Sequence, residues 1–298
     1  MAETLAKISD ELAQVVETAS PAVVRVEGRR RLPSSGIAWT ADGVIVTAHH
    51  TLERDDNITI GLPDGSTTAA TLIGRDPTTD VAVLRVNDGG LTPPVWAPKD
   101  SVRVGNLSLA VGRPGDSILA TLGIVSALGE SWRTRAGGRV DSYVQTDLVM
   151  YPGFSGGPLV DVDGRVIGLS TSALIRGVSL AVPTATLERV VKALLSDGRI
   201  RRGYLGVGAQ PVRLPEALAT QLGQEAGLLL TSVEAGSPAE DAGLMLGDTI
   251  VSVDGQPTLA IDDLQALLSG DHVGATLPAK IVRGGAPQEI SVVVGERS

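Results

Sequence analysis

The sequence predicts a mainly β protein, in which a barrel or sandwich of short strands precedes a smaller α+β unit. Its 298 residues correspond to two domains at the usual size of ~150 residues each. The 36 glycines and 17 prolines lie along the whole chain, which is typical of many short elements joined by turns and argues against long helical bundles. Aromatic residues make up only 2% of the chain, so the core must be built from Val, Leu, Ile and Ala.

Short β-branched runs separated by turn signals predict the strands. An Asp-Gly pair at residues 163–164, flanked by apolar runs, is typical of a hairpin turn. The predicted strands are Val23–Val26, Val44–Thr47, Ile58–Ile60, Val81–Val86, Ser108–Val111, Val140–Val144, Val166–Ser170 and Ser179–Val182.

Helical spacing of apolar residues marks the ends of this strand-rich part. It predicts an amphipathic helix over residues 3–19, which ends before Pro21. A second helix is expected between Pro183 and Gly198, where apolar residues recur at i, i+3, i+4 and i+7. Short helices are expected at Pro215–Leu222 and Ile261–Leu268. We therefore divide the chain into an N-terminal helix, a β domain and an α+β domain, at residues 1–21, 22–197 and 203–298.

The charge and the cysteine count exclude several functions. A formal net charge of −9 and a pI near 4.9 argue against a nucleic-acid partner, because phosphate binding needs a basic surface. The one basic cluster, Arg29 to Arg31, is short and is interpreted as a solvated loop. The absence of cysteine excludes a thiol nucleophile, a disulfide framework and Cys-ligated zinc, and no metal or other cofactor is expected.

The sequence shows no membrane-spanning or export segment. No stretch approaches ~18 uninterrupted apolar residues. The first ten residues carry Glu3, Lys7 and Asp10, and they lack the cationic start and apolar run of an export signal. We expect a cytoplasmic protein, or a periplasmic one if the sequence has been trimmed of its signal.

The strongest chemical signal is Gly-Phe-Ser-Gly-Gly at residues 153–157, which places Ser155 in a glycine-rich turn. This segment satisfies Gly-x-Ser-x-Gly, the nucleophile elbow of α/β-hydrolases, but that fold needs a helix after the serine and a histidine later in the chain. The one histidine after Ser155 is His272, in the second domain, and residues 158–161 predict a strand. The α/β-hydrolase hypothesis therefore fails on both requirements.

The alternative chain order is histidine, aspartate and then serine, as in chymotrypsin-like enzymes. A serine hydroxyl is a poor nucleophile unless an imidazole takes its proton, and that imidazole needs an acid to fix its tautomer. His49 and His50 end one predicted strand and Asp80 begins another, so candidates occur in this order. The spacing favours His50 over His49 as the base.

Three blocks around these residues resemble the signature blocks of HtrA-type serine proteases. They are Thr-Ala-His-His at 47–50, Asp-Val-Ala-Val-Leu at 80–84 and Gly-Phe-Ser-Gly-Gly-Pro-Leu at 153–159, and matching landmarks cover nearly the whole chain. The resemblance implies a chymotrypsin-like double β-barrel, in which His50 is the general base, Asp80 orients it and Ser155 attacks the scissile carbonyl. It also implies an oxyanion hole formed by the backbone N–H groups of Gly153 and Ser155.

Two segments depart from the pattern of that family. Phe154 stands where Asn or Asp is usual, which excludes activation by pairing an Asp with a newly cut N-terminal amine and leaves open whether the oxyanion-hole turn is formed at rest. The loop after Gly129, where the family has a sensor loop, carries Arg133, Arg135 and Arg139. We interpret it as a solvated basic loop, in which Arg133 or Arg135 is a candidate for relaying a signal from the second domain.

Substrate preference follows from the residue six before the nucleophile, which lies at the base of the primary specificity pocket in this fold. That residue is Val149, with Met150 and Leu180 as its expected neighbours. Because no Asp or Glu stands there, a pocket for Lys or Arg is not expected. We expect cleavage after small or medium apolar residues such as Val, Ala or Leu.

Residues 204–298 resemble a PDZ domain of the bacterial, circularly permuted type. The resemblance rests on Gly-Tyr-Leu-Gly-Val at 203–207, Gly-Ser-Pro-Ala at 236–239 and Gly-Asp at 247–248. It implies that an extended C-terminal peptide adds a strand to a sheet edge, while loop N–H groups bind its carboxylate. The residues expected to supply the loop and edge are Tyr204, Leu205, Gly206 and Val207, and the candidates for the facing wall are Leu264, Leu267 and Leu268.

Two functions are compatible with these features. The first is a peptidase that cleaves exposed apolar segments of misfolded proteins and is regulated by C-terminal peptides at the PDZ domain. The second is a scaffold or chaperone-like binding protein with a silent barrel. The full set of His50, Asp80 and Ser155 favours the first. Family members assemble as trimers, which implies a homo-oligomer by analogy.

Overall fold

A computed structural model describes residues 2–87, 89–130, 132–133, 139–140, 142–175, 177–201, 203–268 and 272–296. The chain divides into two compact units, Met1–Ile200 and Arg201–Ser298. The first unit is mainly β and the second is mixed. No helix in the described part of the chain is both long and apolar enough to cross a membrane.

The first unit begins with helix α1 (Ala2–Ala19) and a 3₁₀ turn at Ser20–Ala22. Six antiparallel strands follow, which are β1 (Val23–Glu27), β2 (Ser34–Ala38), β3 (Val44–Ala48), β4 (Ile58–Gly61), β5 (Thr67–Asp76) and β6 (Val81–Val86). They close into a barrel in the order β1-β2-β3-β6-β5-β4.

A second closed barrel follows in the same unit. The strands in chain order are β7 (Leu107–Gly112), β8 (Leu119–Gly129), β9 (Trp132–Arg133), β10 (Arg139–Val140), β11 (Tyr143–Thr146), β12 (Pro158–Val160), β13 (Val166–Thr171) and β14 (Ser179–Pro183). The barrel order is β11-β14-β13-β12-β7-β8, and β9 pairs with β10 outside it. Helix α2 (Thr184–Asp197) then ends at Gly198, whose φ of 69° provides a left-handed cap.

The strands between the barrels are buried on both faces, which explains their continuous apolar runs. Along β6, Val81 and Val83 join a cluster that also contains side chains of α1, α2 and the second barrel. Ala82 and Leu84 point the other way, into the interior of the first barrel. Because side chains alternate along a strand, one set of β6 side chains fills the first barrel and the other set lies in the cluster shared with the second barrel.

The predicted chymotrypsin-like double barrel is confirmed, with differences in individual strands. The predicted strands did not include β2, β5, β8 or the two-residue β9. β2 reads Ser-Ser-Gly-Ile-Ala, β5 carries Thr and Ala at its exposed positions, and Thr121, Gly123 and Ser126 interrupt the apolar residues of β8. The predicted strand Val140–Val144 differs too, since β11 begins at Tyr143.

The second unit has the predicted α+β composition. Its elements are β15 (Gly203–Tyr204), β16 (Val207–Arg213), α3 (Glu216–Leu222), β17 (Ala226–Val233), α4 (Pro238–Asp241), β18 (Thr249–Val253), β19 (Gln256–Pro257), α5 (Ile261–Leu267), β20 (Thr276–Arg283), β21 (Ala286–Val293) and β22 (Gly295–Glu296). The main sheet has the order β16-β17-β18-β20-β21, with β19 on β18, while β15 pairs with β22. β16 is therefore an edge strand of the main sheet.

Candidate active site

Strand pairing brings His50 and Asp80 together. β3 ends at Ala48, which lies opposite Val81, the first residue of β6. His50 is the second residue after β3, in a 3₁₀ turn at His49–Thr51, and Asp80 directly precedes β6. The register of the two strands therefore makes these residues neighbours, although they are distant in sequence.

The Asp80 carboxylate binds His50 through both of its oxygens. Its Oδ2 lies 2.8 Å from His50 Nδ1, and its Oδ1 accepts the backbone N–H of His50 at 2.8 Å. The Thr171 hydroxyl donates a further hydrogen bond to Oδ2. The carboxylate is buried, at 2% exposure, so these donors replace water. A hydrogen bond from Nδ1–H of neutral His50 to this carboxylate selects the tautomer in which Nε2 carries no proton and can accept one.

His50, and not His49, contacts the Asp80 carboxylate. The Nδ1 atom of His49 is buried and has no hydrogen-bond partner among the described residues. Burial, assisted by the positive charge of Arg75, holds the pKa of His49 below its ordinary value. His49 therefore stays neutral near neutral pH and contacts Asp80 through its backbone N–H, which donates to the Asp80 carbonyl at 3.1 Å.

Ser155 lies in a turn that precedes β12 and is tied to β13. The N–H of Gly156 donates to the carbonyl of Ser170 at 2.9 Å, and the N–H of Ser170 donates to the carbonyl of Gly157 at 2.8 Å. The next residue of β13 is Thr171, the donor to Asp80. One strand therefore positions both the nucleophile turn and the acid.

The Ser155 hydroxyl is close to that of Ser172, with 3.4 Å between the two Oγ atoms. No hydrogen bond joins Ser155 to His50, two residues that the structure describes. In sites without substrate, such catalytic hydrogen bonds are often long and tighten only in the complex. Sequence reasoning missed Ser172 and Thr171, since nothing in their local sequence distinguishes them.

Two glycines of the nucleophile turn adopt left-handed conformations. The φ angles are 96° at Gly153 and 90° at Gly156. A Cβ on Gly153 would lie 2.4 Å from Cβ of Pro114, and one on Gly156 would lie 2.2 Å from the Ser35 carbonyl oxygen. The turn packs too closely against its neighbours for a side chain at either position.

The backbone N–H groups of Gly153 and Ser155 are available for a ligand. Within the described parts of the chain, neither donates a hydrogen bond. The N–H of Phe154, between them, instead donates to the Tyr151 carbonyl at 3.1 Å. Two unused donors beside a serine hydroxyl suit the binding of an oxyanion.

The Phe154 side chain is part of the apolar interior of the second barrel. It is 1% exposed and clusters with Val125, Leu148 and Leu159. Its ring centroid lies 6.1 Å from that of Tyr151. The side chain therefore anchors the turn in the core and does not occupy the space in front of the two free N–H groups.

The residues predicted for the specificity pocket differ in burial. Val149 is 59% exposed, Met150 is half-buried and Leu180 is 3% exposed. Leu180 pairs with Thr171 in the barrel, which places it beside the acid's third donor. Val149 lacks the buried setting expected of a pocket base, and the assignment stays a prediction. Arg135 and the side chains of Arg133 and Arg139, the sensor-loop candidates, lie outside the described residues.

The predicted peptide-binding residues form a continuous loop and strand start in the second unit. The carbonyls of Leu205 and Gly206 accept hydrogen bonds from Ala239 and Glu234 at 2.9 and 2.8 Å. The N–H groups of Leu205 and Gly206 have no acceptor in the described part of the chain. Gly206 has a φ of 79°. Val207 then begins the edge strand β16.

The predicted wall residues on α5 have different environments. Leu264 is a core residue at 5% exposure, whereas Leu267 and Leu268 are half-buried beside the core. The Leu268 carbonyl accepts the N–H of Gly203 at 2.9 Å, at the start of the Tyr204 loop. Leu267 and Leu268 therefore remain the candidates for a surface that a peptide contacts.

Two protein families match the chain. Residues 34–169 match the trypsin-like peptidase domain, and residues 229–277 match the PDZ domain. Among solved structures, the serine endoprotease from Yersinia pestis has a TM-score of 0.80 and 28% identity, covering 96% of this chain and 98% of that one. The HtrA-type protease AlgW with a tripeptide has a TM-score of 0.77 and 31% identity, covering 96% of this chain and 97% of that one.

Curated relatives are similar over most of this chain. A protein of Chlamydia muridarum named "Probable periplasmic serine endoprotease DegP-like" is 35% identical over 276 residues, which cover 91% of this chain and 55% of that protein. A protein of the same name from Ectopseudomonas mendocina is 37% identical over 270 residues, covering 88% and 56%. The chain spans about half the length of the curated relatives it matches.

Proposed function

Because the chain belongs to the HtrA family of serine proteases, we propose that it is a serine endopeptidase that cleaves unfolded or misfolded polypeptides. The observation that carries this proposal is the burial of the Asp80 carboxylate against His50 Nδ1. We assign the protease domain to residues 22–197, after an N-terminal helix at 1–21, and the PDZ domain to residues 203–298. A silent scaffold is not favoured, because it would need neither an oriented imidazole nor free N–H groups beside Ser155.

The proposed reaction uses the three side chains in turn. His50 Nε2 takes the proton of the Ser155 hydroxyl as Ser155 Oγ bonds to the scissile carbonyl carbon. Asp80 keeps the Nδ1 proton in place and stabilises the imidazolium that forms. The N–H groups of Gly153 and Ser155 bind the negative oxygen of the tetrahedral intermediate, and His50 protonates the amine as the C–N bond breaks. Water, deprotonated by His50, then attacks the acyl-serine, and His50 returns the proton to Ser155 Oγ as the acid product leaves.

Labelling with a fluorophosphonate tests the nucleophile. The reagent forms a covalent bond with an activated serine, so the wild-type chain is expected to be labelled and Ser155→Ala is not. The matched control is Ser172→Ala, because its hydroxyl lies 3.4 Å from that of Ser155 and is the nearest alternative acceptor of the label. If wild type and Ser155→Ala are equally unlabelled, with and without C-terminal peptides, the scaffold alternative stands.

We propose that the pocket of Val149, Met150 and Leu180 accepts small or medium apolar side chains. None of the three carries a charge that would pair with Lys or Arg. A peptide library should therefore be cleaved after Val, Ala or Leu. A cleavage profile dominated by Lys and Arg would contradict the assignment.

We propose that the loop Tyr204–Val207 binds the carboxylate of C-terminal peptides, which extend the sheet along β16. The free N–H groups of Leu205 and Gly206 support this proposal. Peptides with a free C-terminal carboxylate should bind, whereas their amidated counterparts should not. Equal binding of both forms would exclude the loop as a carboxylate site.

We propose a periplasmic location, in keeping with the names of the curated relatives. Those names give no support to the cytoplasmic alternative. Fractionation of the source cells tests the location. We also propose a homo-oligomer, trimeric by analogy with the family, and light scattering of the purified chain gives its mass in solution.

A further inference from the structure

We infer that Ser35 is a positioning residue for the oxyanion hole. Its hydroxyl holds the Gly153 carbonyl in an orientation that leaves the N–H groups of Gly153 and Ser155 free for substrate. The inference rests on the proposed endopeptidase function and adds to it a residue that touches none of the reacting atoms.

The direction of the Ser35 hydrogen bonds follows from its partners. Ser35 Oγ lies 2.7 Å from the carbonyl oxygen of Gly153 and 2.8 Å from the backbone nitrogen of Arg113. An N–H can only donate and a carbonyl can only accept, so the hydroxyl proton must point to Gly153. Ser35 is 0% exposed, and water therefore does not compete for either bond.

The backbone of Ser35 contacts the other end of the same turn. Its N–H donates to the carbonyl of Ser155 at 3.3 Å, and its own carbonyl accepts the Thr47 hydroxyl at 2.7 Å. Thr47 lies in β3, the strand that leads to His50. Ser35 is therefore bonded to the turn on both sides of Phe154 and is itself fixed to the strand that carries the base.

The orientation of each peptide group in the turn is decided by its carbonyl. The Gly153 carbonyl is bound by Ser35, and the Phe154 carbonyl accepts the N–H of Gly157 at 2.9 Å. Because a trans peptide is planar, fixing the Phe154 carbonyl also fixes the N–H of Ser155 on the opposite side. The Gly153 carbonyl shares its planar peptide with the N–H of Phe154, which donates to the Tyr151 carbonyl at 3.1 Å, so Ser35 and Tyr151 together hold the peptide that lies between the two free N–H groups. Without the Ser35 hydroxyl, only the bond from the N–H of Phe154 to Tyr151 holds this peptide, and the Gly153 oxygen can turn toward the site of the oxyanion.

The donor to Ser35 is held in place by a buried guanidinium. Arg113 is 6% exposed, and its side chain donates to the carbonyl of Val23 at 2.8 Å and to the hydroxyl of Ser20 at 2.8 Å. These bonds attach the segment after β7 to the start of β1. The N–H of Arg113 is thereby fixed relative to Ser35, which prevents the hydroxyl from rotating away from Gly153.

Ser35→Ala tests the inference, and Ser34→Ala is its matched control. Ser34 is also 0% exposed, but its hydroxyl donates to the Thr51 hydroxyl at 3.0 Å and not to the turn. In Ser35→Ala we expect kcat and the rate of fluorophosphonate labelling to fall at least about tenfold, since loss of a whole oxyanion donor costs ~10²–10³. The affinity for a peptide boronate, which forms a tetrahedral adduct, should fall in parallel.

Several readouts separate positioning from a general structural role. KM should stay within about twofold, and the pH midpoint of kcat/KM should not move, because His50 and Asp80 are untouched. Ser35→Cys keeps a weak donor and should recover part of the labelling rate. This variant also tests the inference if Ser35→Ala fails to fold.

Two results would overturn the inference. The first is a Ser35→Ala protein that is labelled as fast as Ser34→Ala. The second is a loss of rate that follows the loss of stability equally in both variants. If the wild-type chain itself is not labelled, the proposed endopeptidase function fails and this inference fails with it. If the wild-type chain is labelled and Ser35→Ala is labelled at the same rate as Ser34→Ala, the endopeptidase proposal is retained and only the role of Ser35 is rejected.

Discussion

Asp80 binds His50 twice, once through the imidazole and once through the backbone. The ring nitrogen and the main-chain nitrogen of His50 each lie 2.8 Å from a different oxygen of the same carboxylate. The acid therefore fixes both the rotation of the ring and the turn that carries it. Asp80 also has a φ of 58°, a conformation that Asp and Asn tolerate better than most residues.

Asp80→Asn is expected to lower kcat by about 10⁴-fold, because an amide no longer selects the productive tautomer or stabilises the imidazolium. Asn has the same size and tolerates positive φ, so the melting temperature should change little. Turnover of a chromogenic peptide and a thermal melt measure the two effects. Thr171→Val, which removes one of the donors to Asp80, should give a smaller loss. Activity of the Asn variant near that of wild type would remove Asp80 from the mechanism.

His49→Gln is expected to leave kcat within about threefold of wild type, because His49 does not touch the Asp80 carboxylate. It should change the pH dependence of stability. Burial, the main cause, lowers the pKa of folded His49 below 6.5, so the unfolded chain binds its proton more readily. The contribution of neutral, buried His49 to the stability of the wild-type protein is therefore complete above pH 6.5, and it is lost as the pH falls toward the pKa of folded His49.

Urea unfolding of both proteins between about pH 5 and pH 8 measures that difference. The free energy of unfolding of wild type relative to His49→Gln should decrease as the pH is lowered. A relative stability that is independent of pH would show that burial does not perturb His49.

Phe154→Ala is expected to destabilise the first unit by about 3–5 kcal/mol, because it leaves a cavity in the second barrel. Phe154→Leu keeps an apolar side chain and should cost less. Urea unfolding measures the stability, and labelling per folded molecule measures the turn. Tyr151→Ala is the control, since a ring that is 56% exposed should contribute no more than about 1 kcal/mol. An unchanged urea midpoint for Phe154→Ala would mean that the ring does not anchor the turn.

Asp248→Asn is expected to destabilise the second unit. Asp248 is 2% exposed and binds Arg283 Nε and Nη2 at 2.8 and 2.6 Å. Asn keeps an acceptor but not the charge, and Arg283 is partly exposed, so we expect a loss of about 1–3 kcal/mol. Denaturant unfolding, with the binding of a C-terminal peptide as the probe, measures the stability of this unit.

The effect of Asp248→Asn should depend on pH. Burial opposes ionisation of Asp248, but hydrogen bonds from Arg283 and from the N–H of Met245 outweigh it and lower the pKa below 3.8. The contribution of ionised Asp248 to stability is therefore complete above pH 3.8, and it is lost as the pH falls through the pKa of Asp248 in the folded protein. If the difference in free energy of unfolding between wild type and Asp248→Asn persists unchanged in strong acid, the ionised Asp248 does not stabilise this unit through its charge.

Strands with β-branched apolar runs could be predicted from the sequence. β5, which has exposed positions, could not, and neither could β2, which is buried but reads Ser-Ser-Gly-Ile-Ala. The run Val81–Val86 is apolar at every position but Arg85, because one set of side chains enters the first barrel and the other lies between the barrels. β5 carries exposed Thr67, Ala69 and Thr71, and its place in the barrel is decided by pairing with β4 and β6. Pairing of that kind is a tertiary property that no local pattern contains.

The candidate site divides in the same way. His50, Asp80 and Ser155 could be found because their chain order and flanking residues are distinctive. Thr171 could not, since its role depends on the register that sets β13 beside the acid. The sequence left open the effect of Phe154 on the turn, and it gave no sign that this side chain is buried in the second barrel. The exposure of Val149 was not anticipated either.

The single phenylalanine of the chain also offers a spectroscopic probe. Incorporation of fluorophenylalanine would label one residue of the whole molecule, the residue directly before Ser155. Its ¹⁹F signal would therefore need no resonance assignment. Its ¹⁹F spectrum would show whether the turn exchanges between conformations and whether a peptide bound at the other domain changes their populations.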